Sequence, residues 1–181
     1  MNKKSIAHII AKLEGQELSE KYKEPGWGCY SRYYKINKYV GCKALMVTYH
    51  KEPTSCASLL KSSLWKMAMR EFKLLRRAYP SGITPEPYAV IPVKVLNQWC
   101  PGILMEHIRG EYPKFDVDDD GNPCGKSKKL CEKLYNKILS MGLRHIDLHE
   151  FNIIQSGPRT YKVIDFTPDF VKRIRLTKKK G

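Results

Sequence analysis

At 181 residues and 42% hydrophobic composition, the chain is sized for one domain or two small lobes, and no apolar run nears the eighteen residues a membrane-spanning helix needs. Its 33 basic and 18 acidic residues leave a net charge of +15, a field that favours polyanions: nucleotide phosphates, nucleic acid or an acidic protein. Too short an apolar stretch follows Met1 for a signal peptide, and six cysteines without a Cys-x-x-Cys pair read as reduced thiols, so a cytoplasmic protein with no membrane role is expected.

Helical spacing of Ile6, Ile9, Ile10 and Leu13 predicts a leading helix over 5–22. A Pro25-Gly-Trp-Gly-Cys-Tyr-Ser31 turn then enters a strand over Arg32–Ile36, and a second strand is predicted from Tyr39 to Tyr49. Residues 57–78 read as one long helix, with Leu59, Leu60, Leu64, Met67, Phe72 and Leu75 on one side, stopped by the Pro- and Gly-rich 79–87. Strands are predicted over Tyr88–Val95 and Gln98–Met105. A polar, acidic stretch at 109–126 follows; its Asp116-Val-Asp118-Asp-Asp120-Gly121 starts like a calcium loop, but Ser127 stands where the bidentate glutamate belongs. A helix over Ser127–Met141 precedes a hairpin, Asn152–Ile154 and Lys162–Ile164, around a Ser-Gly-Pro turn. The order of strands, helix, strands, linker, helix and hairpin predicts an α+β fold, a small sheet lobe and a reduced helical lobe. Lys172, Arg173, Arg175 and Lys178 to Lys180 crowd the last ten residues, a basic tail that ordinarily stays solvated.

The chemistry concentrates in His145-Ile-Asp147-Leu-His149-Glu-Phe-Asn152 and in Val163-Ile-Asp165-Phe166. A carboxylate, a carboxamide five residues on and a second carboxylate at a strand end suit metal-assisted phosphoryl transfer. One carboxylate faces the attacking hydroxyl, while the other two groups offer the hard oxygen ligands that Mg²⁺ takes. Glu71, in Met69-Arg-Glu-Phe-Lys-Leu-Leu, could instead pair with Lys66, Arg70 or Lys73 on its own helix. Gly26-x-Gly28 alone is an ordinary turn signal.

Together these motifs resemble the protein-kinase-like superfamily, with its H-x-D-x-x-x-x-N catalytic loop and D-F-G metal motif, over roughly residues 22–170. The resemblance implies a bilobal fold in a single domain: a β-sheet N-lobe and hinge over about 22–106, a truncated helical C-lobe over 107–170, and a basic tail over 171–181. It implies ATP and Mg²⁺ as cofactors, with Asp147 as base and Asn152 and Asp165 as metal ligands. Gly26, Gly28 and Ser31 would cover the phosphates. Met105 would be the gatekeeper-type residue, and Glu106 and Ile108 would offer main-chain groups to adenine. His145 would brace the catalytic loop. Two lysines compete for the phosphate-pairing role beside Glu71: Lys43, in Val-Gly-Cys-Lys, and Lys51, twenty residues before Glu71. Only fifteen residues follow Phe166, and Thr167 replaces the motif glycine. That resembles RIO-type atypical kinases and reduced viral or bacterial kinases more than full protein kinases. A serine/threonine-protein kinase of minimal type, with a protein substrate, is the leading expectation. A small-molecule kinase of the aminoglycoside or sugar type is the alternative, as is a nucleotide-binding module that contacts nucleic acid or an acidic partner through its basic surface.

Overall fold

The computed structural model describes residues 3–19, 31–46, 53–120, 122–145, 147–169 and 171–174. Gly26, Gly28, Lys51 and the tail beyond Ile174 lie outside them. The chain divides into two compact units, one of Met1–Lys73 with Glu86–His107 and one of Leu74–Pro85 with Ile108–Gly181.

The first unit is a four-stranded antiparallel sheet of β1 (Ser31–Lys35), β2 (Val40–Leu45), β3 (Pro87–Val95) and β4 (Gln98–Glu106), in the order β1-β2-β4-β3. Alternation along the strands separates two faces. Tyr34, Cys42, Leu104, Ile91 and Val93 share one, against which helix α1 (Lys3–Leu13) packs Ile6, Ile9, Ile10 and Leu13. Burial, and then the neighbouring Cys100, pushes the Cys42 thiol up to about 12, so it serves as a small apolar side chain. Registers Tyr33↔Lys43, Lys43↔Ile103 and Gly41↔Met105 set the other face.

The single helix expected over 57–78 is two, α2 (Cys56–Lys61) and α3 (Ser63–Ala78). Serine hydroxyls explain the break, because they compete with backbone groups for hydrogen bonds. Ser55 and Ser58 form a capping box at the start of α2. Ser62 then takes extended backbone (φ −73°, ψ 161°), its N–H donating to Leu59 O and its Oγ accepting from the Trp65 N–H at 3.1 Å. The leading helix ends at Leu13, nine residues short of the expected end at 22.

The second unit holds α4 (Gly125–Ser140), a hairpin of β6 (Ile153–Gly157) and β7 (Thr160–Val163), and a two-stranded sheet of β5 (Leu143–His145) and β8 (Val171–Arg173). Residues 171–173, expected in the tail, therefore form a strand opposite β5. Residues 74–85 join this unit through β7: the Val163 N–H donates to Ile83 O at 2.7 Å, and Lys162 Nζ donates to Thr84 O at 3.1 Å. Among the described residues, no helix is long and apolar enough to cross a membrane.

Candidate active site

In the first unit, Lys43 stands in a wholly buried strand and is 1% exposed. A buried charge is tolerated only when paired and hydrogen-bonded. Its Nζ donates to Glu71 Oε1 at 2.7 Å, and Glu71, from α3, is 0% exposed. Glu71 thus reaches from its helix across to the sheet. The competing Lys51 lies outside the described residues. Ser31 opens β1 opposite Leu45.

Met105 is buried opposite Gly41, two residues along from Lys43 on the same sheet face. The Glu106 N–H is used by Glu86 O at 2.8 Å. The His107 N–H is used by Tyr39 O at 2.8 Å. Ile108, half-buried, begins the second stretch of the other unit. Sequence reading passed over Tyr33. This buried ring lies on the Lys43 face, with Oη 3.3 Å from His107 Nδ1 and the two rings stacked at 6.0 Å.

In the second unit, Asp147, Asn152 and Asp165 are held by a small network. A tight 3₁₀ turn, Glu150–Asn152, carries Asn152 back to Asp147. Its Nδ2 donates to Asp147 O at 2.9 Å and lies 3.2 Å from Asp147 Oδ2. The same Nδ2 is 2.9 Å from His149 Nε2. A main-chain carbonyl and a carboxylate can only accept, so the amide nitrogen is fixed on this side and Oδ1 carries none of these bonds. His149 Nε2 is also 3.6 Å from Asp147 Oδ2.

His145, 2% exposed, connects the two acidic positions. Its Nδ1 accepts from the Asp147 N–H at 3.2 Å, so Nε2 carries the proton and donates to Asp165 O at 2.7 Å. Burial pushes its pKa below the ordinary histidine value, outweighing the Asp165 and Asp147 contacts that raise it. A neutral ring suits this pair of bonds. The Phe166 ring meets it edge-on at 5.4 Å. Asp165 is oriented through Oδ1, which accepts from the Thr167 N–H at 3.0 Å and the Thr167 hydroxyl at 2.7 Å. Thr167, in the place of the motif glycine, therefore anchors the carboxylate.

Among the described residues no group of three His, Cys, Asp or Glu side chains assembles into a metal cage. What the second unit offers is one amide oxygen and one carboxylate. Such an open, all-oxygen set fits Mg²⁺ carried in on phosphate oxygens and does not fit a resident transition metal.

A family model of the RIO domain matches residues 31–173. Among solved structures, the chain is similar to WbdD bound to the kinase inhibitor LY294002, with a TM-score of 0.52 and 17% identity. The alignment covers 82% of this chain and 32% of that one, so this chain spans about a third of that protein's length. At this identity the likeness speaks for the fold alone. None of the curated proteins matches the chain. With the RIO domain running from β1 to β8, the chain belongs to the RIO domain family, an atypical family with the protein-kinase-like fold.

Proposed function

We propose that the chain is an ATP-dependent phosphotransferase of minimal type, acting on serine or threonine hydroxyls of a protein in the cytoplasm. One observation carries this reading: a neutral, buried His145 bridges the Asp147 N–H and the Asp165 carbonyl while Asn152 clamps Asp147. A base and two metal-binding oxygens held at fixed positions suit a reaction that is mostly positioning and electrostatics.

Asp147 orients the acceptor hydroxyl and takes its proton. Asn152, through Oδ1, and Asp165 hold Mg²⁺, which when bound neutralises charge on the phosphate oxygens. Lys43, kept extended by Glu71, pairs with the phosphates, which Gly26, Gly28 and Ser31 cover. Met105 lines the base pocket, and main-chain groups of Glu106 and Ile108 meet adenine.

The test is transfer of labelled γ-phosphate from ATP and Mg²⁺ to a panel of proteins and of small hydroxylated acceptors. Asp147→Ala should lose about 10²–10⁴-fold in transfer rate while still binding nucleotide, because the base lies beside the hydroxyl. Asp165→Asn should lose the Mg²⁺ dependence of nucleotide binding. Transfer by Asp147→Ala at the wild-type rate would remove the base assignment. Label on a sugar or aminoglycoside, with none on protein, would move the chain to the small-molecule kinases.

A further inference from the structure

Helix α4 buries Ser127, Leu134 and Ile138 and turns a different side outward. Lys126, Lys129, Lys133 and Lys137 recur at steps of three, four and four, which places them on one stripe. At 1.5 Å per residue the stripe is about 16 Å long. All four are exposed, and Glu132 is the helix's one acidic residue. Among the described residues, none of the four forms an ion pair with a carboxylate. Lys129–Lys133 and Lys133–Lys137 are like-charge pairs one turn apart, each destabilising by about 0.2–0.5 kcal/mol. Helix stability does not account for them.

Further cations gather where α4 ends. Gly142 takes a left-handed backbone (φ 71°) and closes the helix. Arg77, exposed, donates from Nε to Met141 O at 2.7 Å, and the Ile174 N–H donates to Gly142 O at 3.0 Å. In the β5–β8 pair, Arg144 stands opposite Lys172 and Arg173 opposite Leu143, with all three cations exposed.

We propose that the α4 lysine stripe, extended by Arg77 and Arg173 at its C-terminal end, docks the phosphate backbone of a nucleic acid. A row of cations at one-turn spacing matches a polymer with regularly repeated negative charge. A stable protein contact would favour an apolar or aromatic anchor at its centre, and stable anchoring in a lipid surface would need an apolar face to insert beside the charge. Among the described residues, the large exposed apolar side chains, Tyr39, Leu60, Tyr79, Leu96, Val117 and Phe151, all lie outside α4. The proposal does not depend on phosphotransfer, so ATP affinity serves as its control.

The experiment measures binding of labelled single-stranded RNA and of labelled duplex DNA from low to physiological salt. It compares the full chain, the Lys126→Gln/Lys129→Gln/Lys133→Gln/Lys137→Gln variant and a chain lacking residues 175–181. The fourfold variant should bind more weakly and flatten the log–log salt slope by about 3, at about 0.7–0.9 for each phosphate no longer neutralised. Its ATP affinity should be unchanged. Lys133→Gln alone, at the centre of the stripe, should flatten the slope by about 0.7–0.9, the share of a single phosphate. Three results would overturn the proposal. The first is an unchanged slope in the fourfold variant. The second is a slope abolished by removing 175–181 and untouched by the lysine changes. The third is competition by poly-glutamate as strong as by RNA, which would point to an acidic protein.

Discussion

Gly41 and Tyr33 depend on each other. A Cβ at residue 41 would collide with the Tyr33 ring, so the ring lies against the sheet only because residue 41 has no side chain. Gly41→Ala should therefore destabilise by overpacking, typically about 1–3 kcal/mol. Tyr33→Val removes a buried ring and should cost about 3 kcal/mol in packing. The double variant should be more stable than the sum predicts, with a coupling of about 0.5–3 kcal/mol from urea unfolding of all four proteins. Strict additivity would mean that the ring moves aside freely and has no fixed seat. Motif spacing pointed to Asp147, Asn152 and Asp165, because a short pattern of fixed length is local in sequence, whereas it left Lys43 and Lys51 in competition beside Glu71. It could not point to Tyr33, whose seat comes from the pairing Tyr33↔Lys43 and Lys35↔Gly41, a register set by the folded sheet. Nor could it show that Thr167 grips Asp165 Oδ1, since a threonine in place of a glycine reads as a departure until its hydroxyl is located.

Strands β3 and β4 were legible to within a residue or so at each end, because two β-rich runs flank a two-residue turn. The turn itself carries strain. Leu96 and Asn97 both have positive φ, 51° and 63°, the pattern of a type I′ hairpin. Leucine is a poor occupant, being bulky at a left-handed position and 51% exposed. Replacing the pair by Leu96→Asn with Asn97→Gly should stabilise by about 1 kcal/mol, read as a higher urea midpoint at constant slope. The residue 97 N–H, which donates to Glu17 Oε1, belongs to the backbone, so that bond survives the change. A lower midpoint would mean that Leu96 packs in a way its exposure conceals. Less legible were the break at Ser62 and strand β8. Apolar spacing continues through Ser62 as though one helix ran on, whereas the break is made by hydroxyl hydrogen bonds. Three residues of β8 contain no period at all, and their partner β5 lies some twenty-eight positions earlier.

A net charge of +15 on 181 residues works against the folded state, because folding brings like charges together. The effect is screened: the Debye length is about 10 Å at 0.1 M salt and about 3 Å at 1 M. The melting temperature of the wild-type chain should therefore rise with added NaCl. The α4 stripe should contribute measurably, since its two one-turn lysine pairs together cost about 0.4–1 kcal/mol at low salt. A chain of this size shifts by about 2–4 °C per kcal/mol, so the fourfold glutamine variant should melt about 1–4 °C higher than wild type at low salt. Glutamine and lysine have similar helix propensities, which leaves charge as the difference. In 1 M NaCl the two proteins should melt together. A variant that melted lower at low salt would mean that the lysines sit in stabilising contacts, and the docking role would lose its physical motive. A gain confined to low salt would instead mark the stripe as charge retained at the expense of stability, the signature of a surface kept for binding.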